Sequence, residues 1–357
     1  MSRNGLGHIV APQYAGRGPA ARAMAPPPGM ADISGSPSRI TRTPGNPMSV
    51  GLTESEWIWK EGELIPWQDA TVHLLSLAVQ FGNSIFEGIR CYDTPGGPAV
   101  FRLDAHLRRL LDSCKIYRMD PPWSVDQLTE ACTTTVRRNA LGDCYIRPMV
   151  LRGYGSAGLN PAASPIETYV AAWPWGTYLG EDALAAGVDV CVSTWQRPYP
   201  NTFPVSAKAA GHYNNAQLIK MDALANGYAE GIGLGPGGVV SEGGGQNVFL
   251  VRDGVLITPF LDGTSLAGIT RDSVIRIARD LGVDVREQHV PRESLYTADE
   301  VFFSGTATEV TPIRSVDRID VGSGRAGPVT LAIQKRFLAI ARGQTEDAYG
   351  WLTPVGG

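Results

Sequence analysis

The hydrophobic and polar positions along the chain alternate between strand-like and helix-like patterns from about Trp57 onward. WIWKEGELIPW contains two short apolar runs on either side of Glu61-Gly62, and NVFLVRDGVLITP contains two β-branched runs around Asp253-Gly254. Apolar runs joined by a short Gly-containing turn are typical of β-hairpins. Further strands are predicted in DCYIRPMVLRGYG, ETYVAAWPW, VDVCVSTW and the first part of DEVFFSGTATEVTPI.

Apolar residues spaced three and four positions apart predict helices between these strands. Asp104 is expected to cap the first helix and Ser124 the second, because short polar side chains accept hydrogen bonds from the free N–H groups of a first turn. Gly227 and Gly282 follow the helical patterns NAQLIKMDALAN and ITRDSVIRIARDL and are expected to end them. A last helix is predicted over about Pro328 to Arg342. The mixture indicates an α/β protein.

The composition of residues 1–48 differs from that of the rest of the chain. This segment is rich in Gly, Pro, Ala and Ser and carries five arginines against one aspartate. We expect a disordered basic tail, because such a segment buries too little apolar surface to offset its ordering entropy. The stretch WPWGTYLGEDALAAG interrupts the pattern of elements, and we place an interdomain linker there, at residues 172–185. The prediction is a small α+β domain over residues 49–171 and a larger domain over residues 186–357.

The overall charge and the cysteines exclude several functional classes. A formal net charge of −4 gives no reason to expect a nucleic-acid partner. No run of eighteen apolar residues exists, so no membrane span is expected. The five cysteines include no C-x-x-C pair, which argues against a disulfide framework or a metal site and favours a reducing, cytoplasmic compartment.

Lys208 is a candidate for covalent chemistry. In VSAKAAGHYNN it is flanked by small residues instead of charges. Burial in such a neighbourhood lowers the pKa of an amine, and a neutral amine is needed to form a Schiff base. The alternative is a surface lysine in a loop, and the spacing alone leaves that alternative open.

Three further segments suit a flat, phosphate-bearing ligand. SEGGGQN places Glu242 beside three glycines, where the backbone can approach a ligand closely. GIT, from Gly268 to Thr270, precedes a helix whose free N–H groups suit a phosphate. SGTAT, from Ser304 to Thr308, offers hydroxyls and backbone donors in a turn. Each segment taken alone is also consistent with an ordinary turn or helix cap.

Taken together, these segments resemble the pyridoxal-phosphate enzymes of fold-type IV, the D-amino-acid aminotransferase-like family, and within it the branched-chain amino-acid aminotransferases. The resemblance extends from about Trp57 to Trp351. It implies an α/β architecture in which a small α+β domain is followed by a larger pseudo-barrel α/β domain, with pyridoxal 5'-phosphate between them. It is carried, in the family's order, by SIFEGIRCYD, FRLDAHLRRLLDSCKIYR, CYIRP, GLNP, AAWPWGTYLG, SAKAAGHY, SEGGGQNVF, LAGITRD and SGTATEVTP.

The resemblance implies a role for each residue around the cofactor. Lys208 corresponds to the Schiff-base lysine, which also carries the proton between the substrate Cα and the cofactor's C4′. Glu242 corresponds to the carboxylate that faces the pyridine nitrogen, Tyr213 to the hydrogen-bond partner of the phenolic oxygen, and Arg109 to a phosphate ligand. Further cofactor contacts are implied for Leu266, Ile269, Thr270 and Thr306.

The same resemblance implies a substrate pocket with apolar walls and one cation. Tyr145-x-Arg147 resembles the branched-chain signature, in which the arginine helps to bind the side-chain carboxylate of glutamate. The turn at Thr306 and Ala307 is implied to hold the α-carboxylate through its N–H groups. The other implied contacts are Phe86, Gly88, Leu159, Trp175 and Tyr178.

Three positions depart from the pattern expected for the family. Phe81 stands where a tyrosine is common, Ala157 where a larger side chain such as methionine often closes the pocket, and Gln246 where glutamate is usual. The first two indicate a roomier pocket, and none of the three is expected to touch the cofactor chemistry.

The implied reaction transfers the amino group of leucine, isoleucine or valine to 2-oxoglutarate, which gives branched-chain 2-oxo acids and L-glutamate. The alternative is a fold-type IV aminotransferase for a D-amino acid, an amine or an unusual biosynthetic amino acid. Tyr145-x-Arg147 and FEGIR favour the first. The family also implies a homodimer or a higher homo-oligomer, in which GYGSAGLNP reaches the partner's active site.

Overall fold

The computed structural model describes residues 52–176 and 181–356. The predicted tail at residues 1–48 and the predicted substrate contact Tyr178 therefore lie outside the described residues. The strands are β1 Trp57–Lys60, β2 Glu63–Pro66, β3 Ser84–Phe86, β4 Ile89–Thr94, β5 Gly97–Phe101, β6 Cys144–Arg152, β7 Ile166–Pro174, β8 Val188–Val192, β9 Glu230–Leu234, β10 Val240–Gly243, β11 Asn247–Arg252, β12 Val255–Pro259, β13 Val285–Gln288, β14 Glu300–Gly305, β15 Glu309–Val316, β16 Ile319–Asp320 and β17 Leu352–Pro354. The helices are α1 Leu77–Phe81, α2 Leu103–Ile116, α3 Val125–Arg138, α4 Glu181–Ala186, α5 Tyr213–Ala225, α6 Ile269–Asp280, α7 Ser294–Thr297 and α8 Pro328–Ala341.

Eight of these strands form an antiparallel sheet in the order β17-β5-β4-β6-β7-β1-β2, with β3 paired to β6. The hairpin predicted at Glu61-Gly62 is present as β1 and β2, with Lys60 opposite Glu63. The last strand, β17, returns from the C-terminal end of the chain and pairs with β5. The division of the chain at residues 172–185 stays a prediction.

The other nine strands form a mixed sheet in the order β10-β9-β8-β15-β14-β11-β12-β13, with β16 paired to β15. An additional pairing between β10 and β11, through Glu242 and Asn247, joins the first strand of that order to the sixth. The first six strands of that order therefore close into a barrel-like ring, as expected for the second half of the chain, and β12 and β13 continue the sheet beyond β11. Glu242 lies at the point of closure.

Two helices cover each sheet through a shared apolar core. Leu107 of α2 and Leu128 of α3 are fully buried in one cluster with Ile146 of β6. Ile277 of α6 and Phe337 of α8 belong to the corresponding cluster on the barrel. Burial of one such side chain stabilises a fold by roughly 2 kcal/mol, so these clusters fix the helices that carry site residues.

The helix ends confirm one predicted cap and correct another. Gln127 N donates to Ser124 Oγ at 3.2 Å and Ser124 N donates to Gln127 Oε1 at 2.9 Å, which is a capping box at the start of α3. The prediction that Asp104 caps α2 is wrong. The N-cap is Arg102, which has a left-handed backbone with φ 55°, and Asp104 lies in the first turn. A carboxylate there still interacts favourably with the helix dipole, so the sequence pattern does not distinguish the two positions.

The segment around Lys208 is held against the first sheet and α2. The backbone N–H of Phe86 donates to the carbonyl of Lys208 at 3.1 Å, and the N–H of Lys208 donates to Ser113 Oγ on α2 at 3.0 Å. Ile85 and Ala209 form an isolated bridge. Because the N–H and the carbonyl of Lys208 are both hydrogen-bonded, the backbone position from which its side chain extends is fixed.

Candidate active site

Lys208 lies in the loop between β8 and α5, and its amine faces the first residue of α5. Nζ donates to Tyr213 Oη at 2.5 Å and lies 5.0 Å from the centroid of the Phe86 ring. The neighbours Ala207 and Ala209 are buried. Lys208 itself is half-buried, so the alternative of a surface lysine is excluded.

Glu242 is buried at the closure of the barrel, where it is paired with a cation. Arg197 Nη2 donates to its Oε1 at 2.6 Å, and the N–H of Leu266 donates to its Oε2 at 3.0 Å. Burial raises the pKa of Glu242, while the charge of Arg197 and these hydrogen bonds oppose the rise. The carboxylate is therefore oriented by fixed donors and points into the interior.

The N-terminus of α6 opens on the same region. Gly268 is the N-cap, and no side chain caps this helix, so its first N–H groups are available to an anion. A Cβ at Gly268 would lie 1.9 Å from Asn247 Oδ1, which excludes a larger residue without a shift of Asn247. Arg109 approaches from α2, and its Nη1 donates to the carbonyl of Ala267 at 2.7 Å.

These groups line one cavity. Every residue that is predicted to contact the cofactor lines this cavity. They are Arg109, Lys208, Tyr213, Glu242, Leu266, Ile269, Thr270 and Thr306.

Arg109 is itself held by a buried carboxylate that the sequence analysis missed. Its Nε and Nη2 donate to the two oxygens of Glu87 at 2.6 and 2.9 Å, and His106 Nδ1 lies 2.7 Å from Glu87 Oε2. Glu87 is fully buried. Burial raises the pKa of Glu87, but the charges and hydrogen bonds of Arg109 and His106 outweigh it and the pKa is lowered. The guanidinium is thus fixed by a bidentate ion pair.

A second cavity adjoins the first and shares Lys208, Tyr213 and Thr306 with it. Six of the predicted substrate contacts line it together with Thr306. They are Phe86, Gly88, Tyr145, Arg147, Trp175 and Ala307. A Cβ at Gly88 would lie 1.8 Å from Tyr145 Oη, so glycine is required there by the close approach of the tyrosine.

Arg147 is the cation of this second cavity and is surrounded by aromatic rings. Its guanidinium carbon lies 4.7 Å from the ring centroid of Phe86, 5.4 Å from that of Tyr145 and 5.8 Å from that of Trp173. Cation–π contacts of this kind hold a guanidinium among apolar walls. The pocket therefore combines apolar surface with one positive charge.

Some predicted residues lie away from both cavities. Leu159 is 89% exposed and lines neither cavity of its own chain. Among the departures from the family pattern, Phe81 and Ala157 are exposed. Gln246 is buried, lines both cavities and donates from Nε2 to Glu230 Oε2 at 3.2 Å.

Sequence reasoning missed Glu87, His106 and Arg197, each of which supports another residue of the site. His106 lies within FRLDAHLRRLL and Glu87 within FEGIR, and neither segment has a pattern that indicates a buried ionic contact. Arg197, in TWQRPYPN, has no pattern that distinguishes it from a loop arginine. A buried partner of a charged residue is selected by tertiary contact, so sequence periodicity gives no signal for it.

The first cavity fits pyridoxal phosphate. It presents an amine for an aldehyde on Lys208, a buried carboxylate for a ring nitrogen on Glu242, and a helix N-terminus beside Arg109 for a phosphate. The distinct chemistry of the three donor groups matches the three distinct parts of that molecule.

Comparison with known proteins gives the same class. The amino-transferase class IV family matches residues 84–316. The branched-chain-amino-acid aminotransferase of Salmonella typhimurium is 52% identical over 303 residues, which cover 85% of this chain and 98% of that protein. The chain therefore belongs to the class IV aminotransferases.

Solved structures agree with this assignment. The crystal structure of the Escherichia coli branched-chain amino acid aminotransferase is 51% identical, with a TM-score of 0.83 and coverage of 85% of this chain and 100% of that chain. The T.th. branched-chain amino acid aminotransferase with pyridoxamine 5'-phosphate is 45% identical, with a TM-score of 0.82 and coverage of 85% and 99%. The same enzyme complexed with N-(5'-phosphopyridoxyl)-L-glutamate is 43% identical, with a TM-score of 0.81 and coverage of 85% of this chain and 99% of that chain.

Proposed function

We propose that this protein is a pyridoxal-phosphate-dependent branched-chain amino-acid aminotransferase, which transfers the amino group of leucine, isoleucine or valine to 2-oxoglutarate. The observation that carries the proposal is the position of Lys208. Its side chain lines two adjoining cavities. The first is lined by a buried carboxylate and a helix N-terminus, and the second by aromatic rings and Arg147. The names of the relatives at 43 to 52% identity support the branched-chain substrates.

The cofactor is held at three points in this proposal. Lys208 Nζ would hold its aldehyde carbon, Glu242 its ring nitrogen, and Arg109 with the first turn of α6 its phosphate. Pyridoxal phosphate, when bound, supplies an electron sink that stabilises negative charge at the substrate Cα. The charge of Arg197 opposes the rise in pKa that burial causes at Glu242, and it therefore favours the ionised carboxylate that a protonated ring nitrogen requires.

Lys208 also moves the proton. The amine of Lys208 would accept the proton of the substrate Cα and return it on the other side of the reaction. Tyr213 Oη, at 2.5 Å, keeps Nζ oriented. The fixed backbone of Lys208 limits how far the amine travels between its two tasks.

The second cavity suits two kinds of side chain. Its aromatic walls match an aliphatic side chain, while Arg147 provides a charge for the distal carboxylate of glutamate or 2-oxoglutarate. The α-carboxylate common to all these substrates is assigned to the N–H groups of the turn at Thr306 and Ala307.

A second copy of the chain is proposed to complete the assembly as a homodimer. Apolar side chains are exposed on two neighbouring segments, which His73 and Tyr154 join through rings 4.2 Å apart. Leu74 is 74% exposed and Leu159 is 89% exposed, as expected for residues that another subunit covers. Leu159→Asp is expected to shift the sedimentation coefficient toward that of a monomer, and an unchanged value would count against this interface.

No helix within the described residues is long and apolar enough to cross a membrane. The five cysteines are buried and free. A cytoplasmic location is proposed on the basis of these unpaired thiols.

The absorption spectrum of the purified protein tests the proposed function. With pyridoxal phosphate bound, the visible band of the wild type is expected to fall on addition of L-leucine and to recover on addition of 2-oxoglutarate. Lys208→Ala is expected to show neither change, whereas Lys335→Ala, on the exposed side of α8, behaves like the wild type. A band that responds to D-alanine and not to L-leucine supports the alternative substrate class, and a wild type that binds no cofactor refutes the proposal.

A further inference from the structure

The turn that is assigned to the substrate α-carboxylate is the tip of a β-hairpin. β14 and β15 pair in register up to Gly305 and Glu309, which leaves the three residues 306–308 as the loop. Thr306 lines both cavities and Ala307 lines the second. The direction of the loop's N–H groups therefore depends on what fixes the closing residue, Glu309.

Glu309 has a backbone conformation that an ordinary side chain rarely adopts. Its φ is 54°, and it is not a glycine. A non-glycine residue in the left-handed region persists when its surroundings determine it. The side chain is buried, at 4% exposure, so its partners are expected to supply that constraint.

Two residues of β4 hold the Glu309 carboxylate. Tyr92 Oη donates to Glu309 Oε1 at 2.9 Å, and Arg90 Nη2 forms an ion pair with the same oxygen at 3.7 Å. Both side chains are buried. The guanidinium carbon of Arg90 also lies 5.1 Å from the centroid of the Tyr92 ring, so the three side chains form one contact group.

Arg90 also contacts the chain segment next to Trp175, which lines the second cavity. Its Nη1 donates to the carbonyl of Gly176 at 3.3 Å, directly after the lining residue Trp175. Arg90 lies opposite Tyr145 on the neighbouring strand. The Nε of Arg90 is buried without a hydrogen-bond partner among the described residues, so its hydrogen bond and its ion pair both come from the two terminal nitrogens.

We infer that Arg90 and Glu309 are positioning residues for the substrate α-carboxylate, because they fix the hairpin tip at residues 306–308 relative to the wall at Trp175. Neither is assigned contact with substrate or cofactor. Glu309 holds the tip through its buried carboxylate, and Arg90 joins that carboxylate to the carbonyl of Gly176. The inference rests on the proposed function, in which the tip binds the carboxylate.

The test compares ligands with and without a carboxylate. Glu309→Gln removes the charge that Arg90 pairs with, and Arg90→Met removes the link to Gly176. We expect each variant to raise the KM for L-leucine on the order of tenfold, with a much smaller change in kcat. The dissociation constant of 4-methylvalerate, followed by the spectrum of the bound cofactor, is expected to rise by a similar factor. That of the neutral amide of this acid is expected to stay nearly constant.

Glu300→Gln is the matched control. Glu300 is also buried, on the same hairpin, and accepts hydrogen bonds from Val329 and Thr330 at the start of α8. This variant is expected to lower the melting temperature while leaving the ratio of the two dissociation constants unchanged.

Failure of the inference and failure of the proposed function give different results. If Glu309→Gln and Arg90→Met lower the melting temperature but leave the ratio of acid to amide affinity at the wild-type value, the two residues are structural only and the inference is overturned. If the wild type does not respond to L-leucine, the proposed function fails. The inference is then tested by the KM for L-glutamate in each variant, divided by the KM for L-glutamate in the wild type.

Discussion

Arg197 and Glu242 form a nearly fully buried ion pair at the edge of the cofactor cavity, with 2.6 Å between Nη2 and Oε1. The arginine is also bonded through Nη1 to Asn215 Oδ1 at 2.7 Å. It lies on the loop after β8, whereas the glutamate lies on β10 at the closure of the barrel. The pair thus links the charge state of Glu242 to the position of a loop that no sequence motif indicates.

Arg197→Met is expected to impair both folding and activity. Removal of one partner of a buried pair leaves the other charge uncompensated and costs about 3 to 5 kcal/mol of unfolding free energy. Without the opposing cation, the pKa of Glu242 rises further and its carboxylate becomes protonated more readily, so we expect kcat to fall by about a hundredfold. Urea unfolding and steady-state kinetics check the two effects. Arg325→Met, at an exposed position, serves as the control. An Arg197→Met enzyme with wild-type kcat contradicts this role.

Glu87 is expected to make the stability of the protein depend on pH. Its pKa is lowered below the ordinary value of 4.5, so the unfolded state binds the proton more readily than the folded state. The stabilisation is fully present above that value and decreases as the pH falls below it. Glu87→Gln is expected to cost about 3 kcal/mol at pH 7.

The difference in unfolding free energy between wild type and Glu87→Gln is expected to shrink as the pH falls below about 4.5 toward about 3. Urea titrations at several pH values measure it. Glu63→Gln, at an exposed glutamate, controls for general effects of acid. A difference that stays constant over this range would show that Glu87 is not ionised by its contact with Arg109 in the folded protein.

Gly88→Ala tests the close approach that shapes the second cavity. The added Cβ would lie 1.8 Å from Tyr145 Oη, so the tyrosine has to move. Overpacking of this kind costs about 1 to 3 kcal/mol, and displacement of Tyr145 is expected to raise the KM for L-leucine several-fold. Gly96→Ala is the control, since its Cβ would meet only Thr94 Oγ1 at 3.7 Å. Equal KM values for the two variants would contradict the proposed position of Tyr145 in the substrate pocket.

The sequence predicts the elements of this protein better than the contacts between them. The hairpin at Asp253-Gly254 is present in β11 and β12, because turn chemistry and alternating apolar residues act over short distances. The return of β17 to the first sheet and the pairing of Arg109 with Glu87 join residues far apart in the chain. Local patterns carry no information on such contacts, so the cofactor residues were predicted by resemblance and their supporting partners were not.

Arg147→Met is expected to separate the two kinds of substrate. Arg147 provides the positive charge that the proposed function assigns to the distal carboxylate, while the surrounding rings remain in place for aliphatic side chains. Loss of a charge-assisted hydrogen bond costs roughly 1.5 to 3 kcal/mol, which corresponds to a rise of about ten- to a hundredfold in the KM for 2-oxoglutarate. The KM for L-leucine is expected to change much less, because that substrate has no second carboxylate. Half-reactions with L-glutamate and L-leucine, measured on the same preparation, give the ratio directly. An equal loss for both substrates would mean that Arg147 shapes the pocket as a whole and does not recognise the distal charge.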